Sequence, residues 1–219
     1  MLETLGILSA WTPYLLGGFG WNIVISLTAG MIGLVVGAPL AFMHHVRFAA
    51  VARGSHAASS VIHNLPTFAL LFYTAMILPS EIPLPALGLV IPVPYWFKAA
   101  LALSFMQIGY VSENLSIAIE AWRSGDTLKA LLFIPGWANG FVITVIASSN
   151  ASVVGVDELI SRANNVINAS GHTDLMIPIY IYAGLFFLVF CFPLSLAING
   201  ARRTMSRRVE RRTAAVRPA

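Results

Sequence analysis

The chain has 219 residues, of which 58% are hydrophobic and only 10% charged, with a formal net charge of +4 and a mean hydropathy of +0.79. A soluble domain carries about a quarter of its residues as charges, so this composition excludes an ordinary water-clothed globule and points to a bilayer as solvent, with one domain, 1–219, as the prior at this length. Cys191 is the only cysteine, which excludes an intrachain disulfide; in its apolar run it reads as a packing residue.

The N-terminus opens Met-Leu-Glu with no basic region and no small-residue cleavage pattern, so a removable signal peptide is not expected. Leu2 to Tyr14 reads as a surface-lying segment. Crossing a bilayer takes about 20 apolar residues in a helix, and the charge-free run from Thr4 to Val46 supplies a first span at about 22–43. His44 and His45 close it, and a short basic loop with Arg47 and Arg53 follows. A second span is expected at 58–79, with His63 near its start. The stretch "PSEIPLPALGLVIPVPYWF" is apolar, but its prolines would disturb a helix interior. It reads as an interfacial loop with Tyr95 and Trp96 at headgroup level.

A third span is expected at 97–119, with Lys98 at one end and Glu113 near the other. "IEAWRSGDTLK" then places Glu120, Arg123, Asp126 and Lys129 in a loop over 120–130. The fourth span, 131–152, carries Asn139, Ser148, Ser149 and Asn150. In "DELISRANNVI", Leu159, Ile160, Ala163, Val166 and Ile167 recur at helical spacing, which predicts a short amphipathic helix. A fifth span at 175–200 leads into the basic tail 201–219.

If the first span ends inside the cell, eleven of the thirteen basic residues lie on the cytoplasmic side, leaving only Lys98 and Arg162 outside. The positive-inside rule therefore predicts an N-terminus outside and a C-terminus in the cytoplasm. The fold class expected is an all-α integral membrane protein with about five transmembrane helices, multi-pass in the cell inner (plasma) membrane. Anionic membrane lipid explains the arginine-rich tail; no recognition motif supports nucleic-acid binding.

No metal-ligand spacing such as HExxH occurs, nor a phosphate-binding glycine loop with its lysine, nor a nucleophile with a base. No metal, no cofactor and no catalytic residue is therefore assigned, and an enzyme is not expected. Glu113, a few residues from its span end, has two readings, a hinge or pathway carboxylate and an acid that snorkels or bonds a neighbouring helix. Ser149 and Asn150 read either as interhelical packing groups or as donors and acceptors lining a substrate pathway.

"TVIASSNASVVGVDELISRANNVI" resembles the signature of permease subunits of ABC importers of the polar amino-acid type, through Ser152, Gly155, Glu158 and Leu159. "HNLPTFALLFY" is similar to the motif opening that family's second span, with Asn64 and Pro66 retained. "FKAALALSFMQIGYVSE" resembles its third span through Tyr110 and Glu113, and "PGWANGF" its Pro-Pro-x-x-Asn-x-Phe segment through Pro135, Asn139 and Phe141. The likeness runs in order along nearly the whole chain. Departures stand at His63 and Ser116, where the family has arginine, and at Ile146 and Ala147, where it has a Lys-Asp pair.

The resemblance implies a type I ABC importer permease: a binding-protein-dependent transport subunit that moves a polar amino acid or related small solute, with ATP hydrolysis on separate ABC ATPase subunits. It implies a second homologous permease subunit, with the missing arginines suggesting a heterodimer, and an extracytoplasmic solute-binding protein. "EAWRSGD" keeps Glu120, Ala121 and Gly125 of the family's ATPase-coupling segment, with Arg123 between them, but in abbreviated form. Pro66, Tyr110, Glu113, Pro135, Asn139 and Gly155 would shape the moving helices. Two alternatives remain open: a degenerate, non-coupling paralogue that scaffolds a partner, and an ATP-independent carrier or channel.

Overall fold

The computed structural model describes residues 2–84, 88–171 and 173–216. The uncharged N-terminal run forms α1 (Leu2–Met43), 42 residues and about 63 Å long at 1.5 Å per residue. The surface-lying segment expected over Leu2 to Tyr14 is thus corrected: it is the first part of α1. In an apolar medium the backbone must satisfy itself, which favours extending a helix over an irregular chain.

α2 (Ala49–His63) and α3 (Thr67–Ile77) replace the single second span expected at 58–79. The break has a local cause. Pro66 holds φ at −67° at the N-cap of α3 and disfavours the helical region for Leu65 before it. Much of the expected basic loop around Arg53 is therefore helical. The proline-rich interfacial loop is also corrected, since it holds a hairpin of β1 (Glu81–Leu84) and β2 (Leu89–Pro92), antiparallel with Glu81 opposite Pro92 and Leu84 opposite Leu89. Both strands of a two-stranded sheet are edges, so Pro83 and Pro92 are tolerated there while remaining poor helix residues. Pro85 lies outside the described residues.

Tyr95 and Trp96 do not end a loop but open α4 (Tyr95–Arg123). The chain continues through α5 (Thr127–Leu131), α6 (Phe133–Ala147), a 3₁₀ segment (Ser148–Val154), α7 (Leu159–Ser170), a 3₁₀ turn (Thr173–Leu175) and α8 (Met176–Val216). The basic tail expected from residue 201 thus continues α8 as helix to Val216.

Among the described residues, Leu8–Met43, Thr127–Val154 and Met176–Val209 are long and apolar enough to cross a membrane, and α2 with α3 adds a fourth only as a broken pair. α4 has the length, 29 residues, but is not among the helices apolar enough to cross a membrane, where a third span was expected at 97–119. The reason is visible in its packing. Lys98, Ser104, Gln107, Ser112 and Ser116 are all buried, so its polar face meets protein rather than lipid.

The chain divides into two compact units. The first gathers Met1–Ala29, Pro66–Leu103 and Thr144–Phe192 around Ile25, Ala29, Leu71, Ala99, Ala100, Ala102, Leu103, Ala151 and Val156. Its many alanines let helix backbones approach closely. Phe19 packs against Phe186, Phe187 and Phe190, and Trp21 against Trp96. α7 buries Leu159, Ala163 and Val166, three of the positions whose spacing predicted it.

The second unit comprises Gly30–Leu65, Ser104–Ile143 and Pro193–Ala219. Here α4 is gripped through glycines. A Cβ on Gly33 of α1 would lie 2.4 Å from Gln107 Cβ, one on Gly37 2.8 Å from the Ile108 carbonyl oxygen, and one on Gly109 2.7 Å from His63 Cβ. Gly136 and Gly140 of α6 repeat the four-residue spacing of Gly33 and Gly37, the small-residue pattern of close helix pairs.

Candidate functional site

The charged stretch that interrupts the apolar sequence is a helix end, a turn and a short helix rather than an irregular loop. α4 terminates in a Schellman motif: Gly125 adopts φ +82°, the Asp126 N–H donates to the Ala121 carbonyl at 2.9 Å and the Gly125 N–H to that of Trp122 at 3.0 Å. Only glycine takes this φ without strain. Asp126 then caps α5, accepting from the Lys129 N–H at 3.1 Å.

Glu120 and Arg123 stand exposed on the last turns of α4, while Ala121 between them is buried. Among the described residues neither Glu120 nor Arg123 forms an ion pair. Beside them runs an apolar groove of about 460 Å³ bordered by Phe42, Ile119, Trp122, Arg123 and Ile134. The stretch therefore offers charged groups unspent on internal contacts next to apolar surface.

Further along α4, side chains tie the helix to its neighbours in the second unit. The Tyr110 hydroxyl donates to the Gly136 carbonyl at 2.9 Å and Gln107 Nε2 to that of Gly140 at 2.8 Å. These are two bonds from adjacent turns of α4 to adjacent turns of α6. Pro135 is buried in the first turn of α6, where its missing N–H would have had no helical partner. Asn139 is half-buried on the same helix.

Glu113 Oε2 lies 3.2 Å from His63 Nδ1 at the end of α2, both side chains partly exposed, an arrangement that contributes little stability. Ser116, the other departure from the family pattern, holds His45 Nε2 at 3.0 Å. His44 stacks on His56 at 3.8 Å between ring centroids and lies 3.1 Å from the Ser59 hydroxyl, which meets that of Ser112 at 2.7 Å. Burial, then the neighbouring His56, holds the His44 imidazole below its ordinary value of 6.5. Pro66 is exposed at the start of α3, in the first unit.

In the first unit the most costly group is Glu158, whose residue is fully buried. It caps α7, its Oε1 accepting from the Ser161 N–H at 2.9 Å, while Oε2 accepts from Asn22 Nδ2, also at 2.9 Å. Asn22 also reaches Ser148 Oγ and accepts from the Leu159 N–H. Burial pushes the Glu158 carboxyl up from its ordinary 4.5, against the bonds from Asn22, Ile160 and Ser161. Of the serine cluster, Ser148 is the buried, bonded member. The Ser149 hydroxyl donates to its own helix at Ile146, and Asn150 is exposed.

Gly155 shapes the entry to this cluster with φ +89°, its N–H on the Ser152 carbonyl and the Val156 N–H on that of Ala151. Gly155→Ala should lower stability by about 1 kcal/mol or more through left-handed strain alone, because open space surrounds the position. Thermal unfolding in detergent would show this as a lowered midpoint with unchanged helix content.

The two basic residues predicted to lie outside are both tied down in this unit. Lys98 Nζ donates to the Leu78 carbonyl at 2.6 Å at the end of α3, where a cation suits the helix dipole. Arg162 bonds Asp157 and the Tyr14 carbonyl and sits over the Tyr14 ring, crossing α1 at Gly17 and Gly18. Asn22 and Gln107 had no sequence signal as single residues. The signal available was collective: polar residues recurring along α4 in an otherwise greasy chain mark a helix that faces protein.

No family model and no curated protein matches the chain by sequence. Among solved structures, it superposes on a chain of a crystal structure of an amino acid ABC transporter with histidines, with a TM-score of 0.72 and 19% identity, covering 90% of this chain and 96% of that one. At that identity the likeness speaks for the fold. The chain shares the fold of that transporter chain and carries helices long and apolar enough to cross a membrane.

Proposed function

We propose that the chain is the membrane-spanning subunit of an ATP-driven importer for a polar amino acid or related small solute, acting in the inner membrane with its N-terminus outside. The observation that carries this is the fold likeness to an amino acid ABC transporter over 90% of the chain. The ion-pair-free charges at Glu120 and Arg123, beside the glycine turn at Gly125, suit a surface that an ABC ATPase grips. A second permease subunit would complete the pathway, and a solute-binding protein would deliver the solute from outside. Tyr110, Glu113, Pro135 and Asn139 would tie together the helices that move, with Pro66 and Gly155 setting breaks in the chain and Ser149 and Asn150 facing the solute.

Transport itself needs no nucleophile or metal in this chain. Its residues position helices: Tyr110 and Gln107 hold two turns of α6 by its carbonyls, so a displacement delivered to the end of α4 would pass to α6 through bonds rather than through a flexible linker.

A second reading, a non-coupling scaffold, is favoured by one observation: α5 is only five residues long, a small docking element. Reconstituting the chain with its co-purifying subunits separates the two. Glu120→Lys combined with Arg123→Glu should cut ATP-driven uptake at least about tenfold, a loss of roughly 1.4 kcal/mol of coupling, while leaving the complex's yield unchanged. Full uptake by that variant would sink the docking assignment and leave the scaffold.

A further inference from the structure

A second cavity in the second unit, about 260 Å³, is bordered by Tyr110, Asn114, Lys129, Phe133, Arg202 and Ser206. Two exposed cations from different elements, α5 and α8, converge on it, and among the described residues neither forms an ion pair. The neutral groups around them add donors. Asn114 Nδ2 spends one hydrogen on the Tyr110 carbonyl and keeps a second, and Ser206 brings a hydroxyl. The Tyr110 O–H is already committed to Gly136, so it closes the wall.

We propose that this pocket binds a phosphate group through Lys129 and Arg202. An ammonium and a guanidinium approaching from two elements, with an amide and a hydroxyl between, match an anion with several oxygens that accepts from several directions. Two sources share that chemistry: the phosphodiester of an anionic lipid headgroup and free phosphate. The surroundings favour the lipid. The pocket shares Ala118 and Phe133 with the apolar groove beside Trp122, so surface suited to an acyl chain adjoins the cations. Arg202 also stands where α8 passes from the apolar run "FFLVFCFPLSLAI" to the basic run "ARRTMSRR", the interfacial depth at which headgroups lie. This assigns one site on the chain, beyond the diffuse attraction of an arginine-rich helix, and it stands whether or not the chain couples to ATP hydrolysis.

The test uses the purified full chain in neutral detergent, titrated with short-chain phosphatidylglycerol, with phosphatidylcholine and with inorganic phosphate, and read by native mass spectrometry. Phosphatidylglycerol should bind, and Lys129→Gln and Arg202→Gln should each weaken it about tenfold, the loss of one charge-assisted contact. Arg203→Gln and Arg207→Gln remove the same charge outside the pocket and should change affinity less than about twofold, the size of a screened surface effect. Ser206→Ala, which alters no charge, should weaken binding a few-fold, about one neutral hydrogen bond. Competition by inorganic phosphate would assign the site to free phosphate; binding of phosphatidylglycerol with no such competition would assign it to lipid. Equal losses at all four cations, or none at Lys129 and Arg202, would overturn the pocket in favour of diffuse charge.

Discussion

Gly33→Ala is expected to lower the stability of the purified chain by about 2 kcal/mol, while Gly20→Ala on the same helix should raise it by about 0.5 kcal/mol. The chemistry of the two changes is identical. At Gly33 the new methyl would sit 2.4 Å from Gln107 Cβ and 3.0 Å from its carbonyl carbon, whereas at Gly20 nothing lies within 4 Å. Gln107 cannot step aside cheaply, because its Nε2 is bonded to the Gly140 carbonyl and the crowding atoms belong to the backbone and Cβ of α4. α4 is also packed closely on α6, where a Cβ on Gly140 would lie 3.3 Å from the Tyr110 ring. Thermal unfolding of both variants in one detergent tests the pair. A Gly33→Ala midpoint at or above that of the wild type would refute the close packing of α1 on α4.

Glu158→Ala should cost about 3 kcal/mol, combining a lost helix cap with buried donors left unpaired on Asn22 and Ser161. Glu158→Gln is the sharper probe because it keeps the volume while removing the titration. Burial raises the folded-state carboxyl above its ordinary 4.5, so the folded chain binds this proton more tightly than the unfolded chain. The stability contributed by Glu158 is then fully present below about pH 4.5 and is lost as pH rises through the raised value. His44 acts in the opposite sense: its lowered value means stability is lost as pH falls from 6.5 through that value. Since His44 is present in both proteins, it cancels in the difference. The wild-type advantage over Glu158→Gln should therefore be larger at pH 4.5 than at pH 8. Parallel midpoint-against-pH curves would show that Glu158 titrates as an ordinary exposed acid.

The long elements were legible before any coordinates because bilayer length, charge and breakers act locally. The part of α1 from residue 22 and most of the apolar part of α8 follow from uncharged runs, and α7 from the recurrence of Leu159, Ala163 and Val166. The errors have local causes too. Prolines rule out a helix without saying what replaces it, so the hairpin at Glu81–Pro92 read as a loop. Pro66 restricts Leu65 and breaks the second apolar stretch into α2 and α3, an effect that a count of apolar residues does not register.

What the amino-acid sequence determined alone is the solvent, the helical class and the places where charge interrupts apolarity, since each is a sum over neighbouring residues. Which polar groups meet is not such a sum. Asn22 and Glu158 are 136 residues apart, and Lys129 and Arg202 border one cavity only because α5 and α8 fold beside it. Likewise α4 reads as a span from its sequence, whereas in the fold its polar residues are buried and Gly33, Gly37 and Gly140 stand against it. Only the tertiary structure decided these, because the energy of a polar group inside a membrane protein depends on the partner that replaces water, and that partner is supplied by packing across the chain rather than along it.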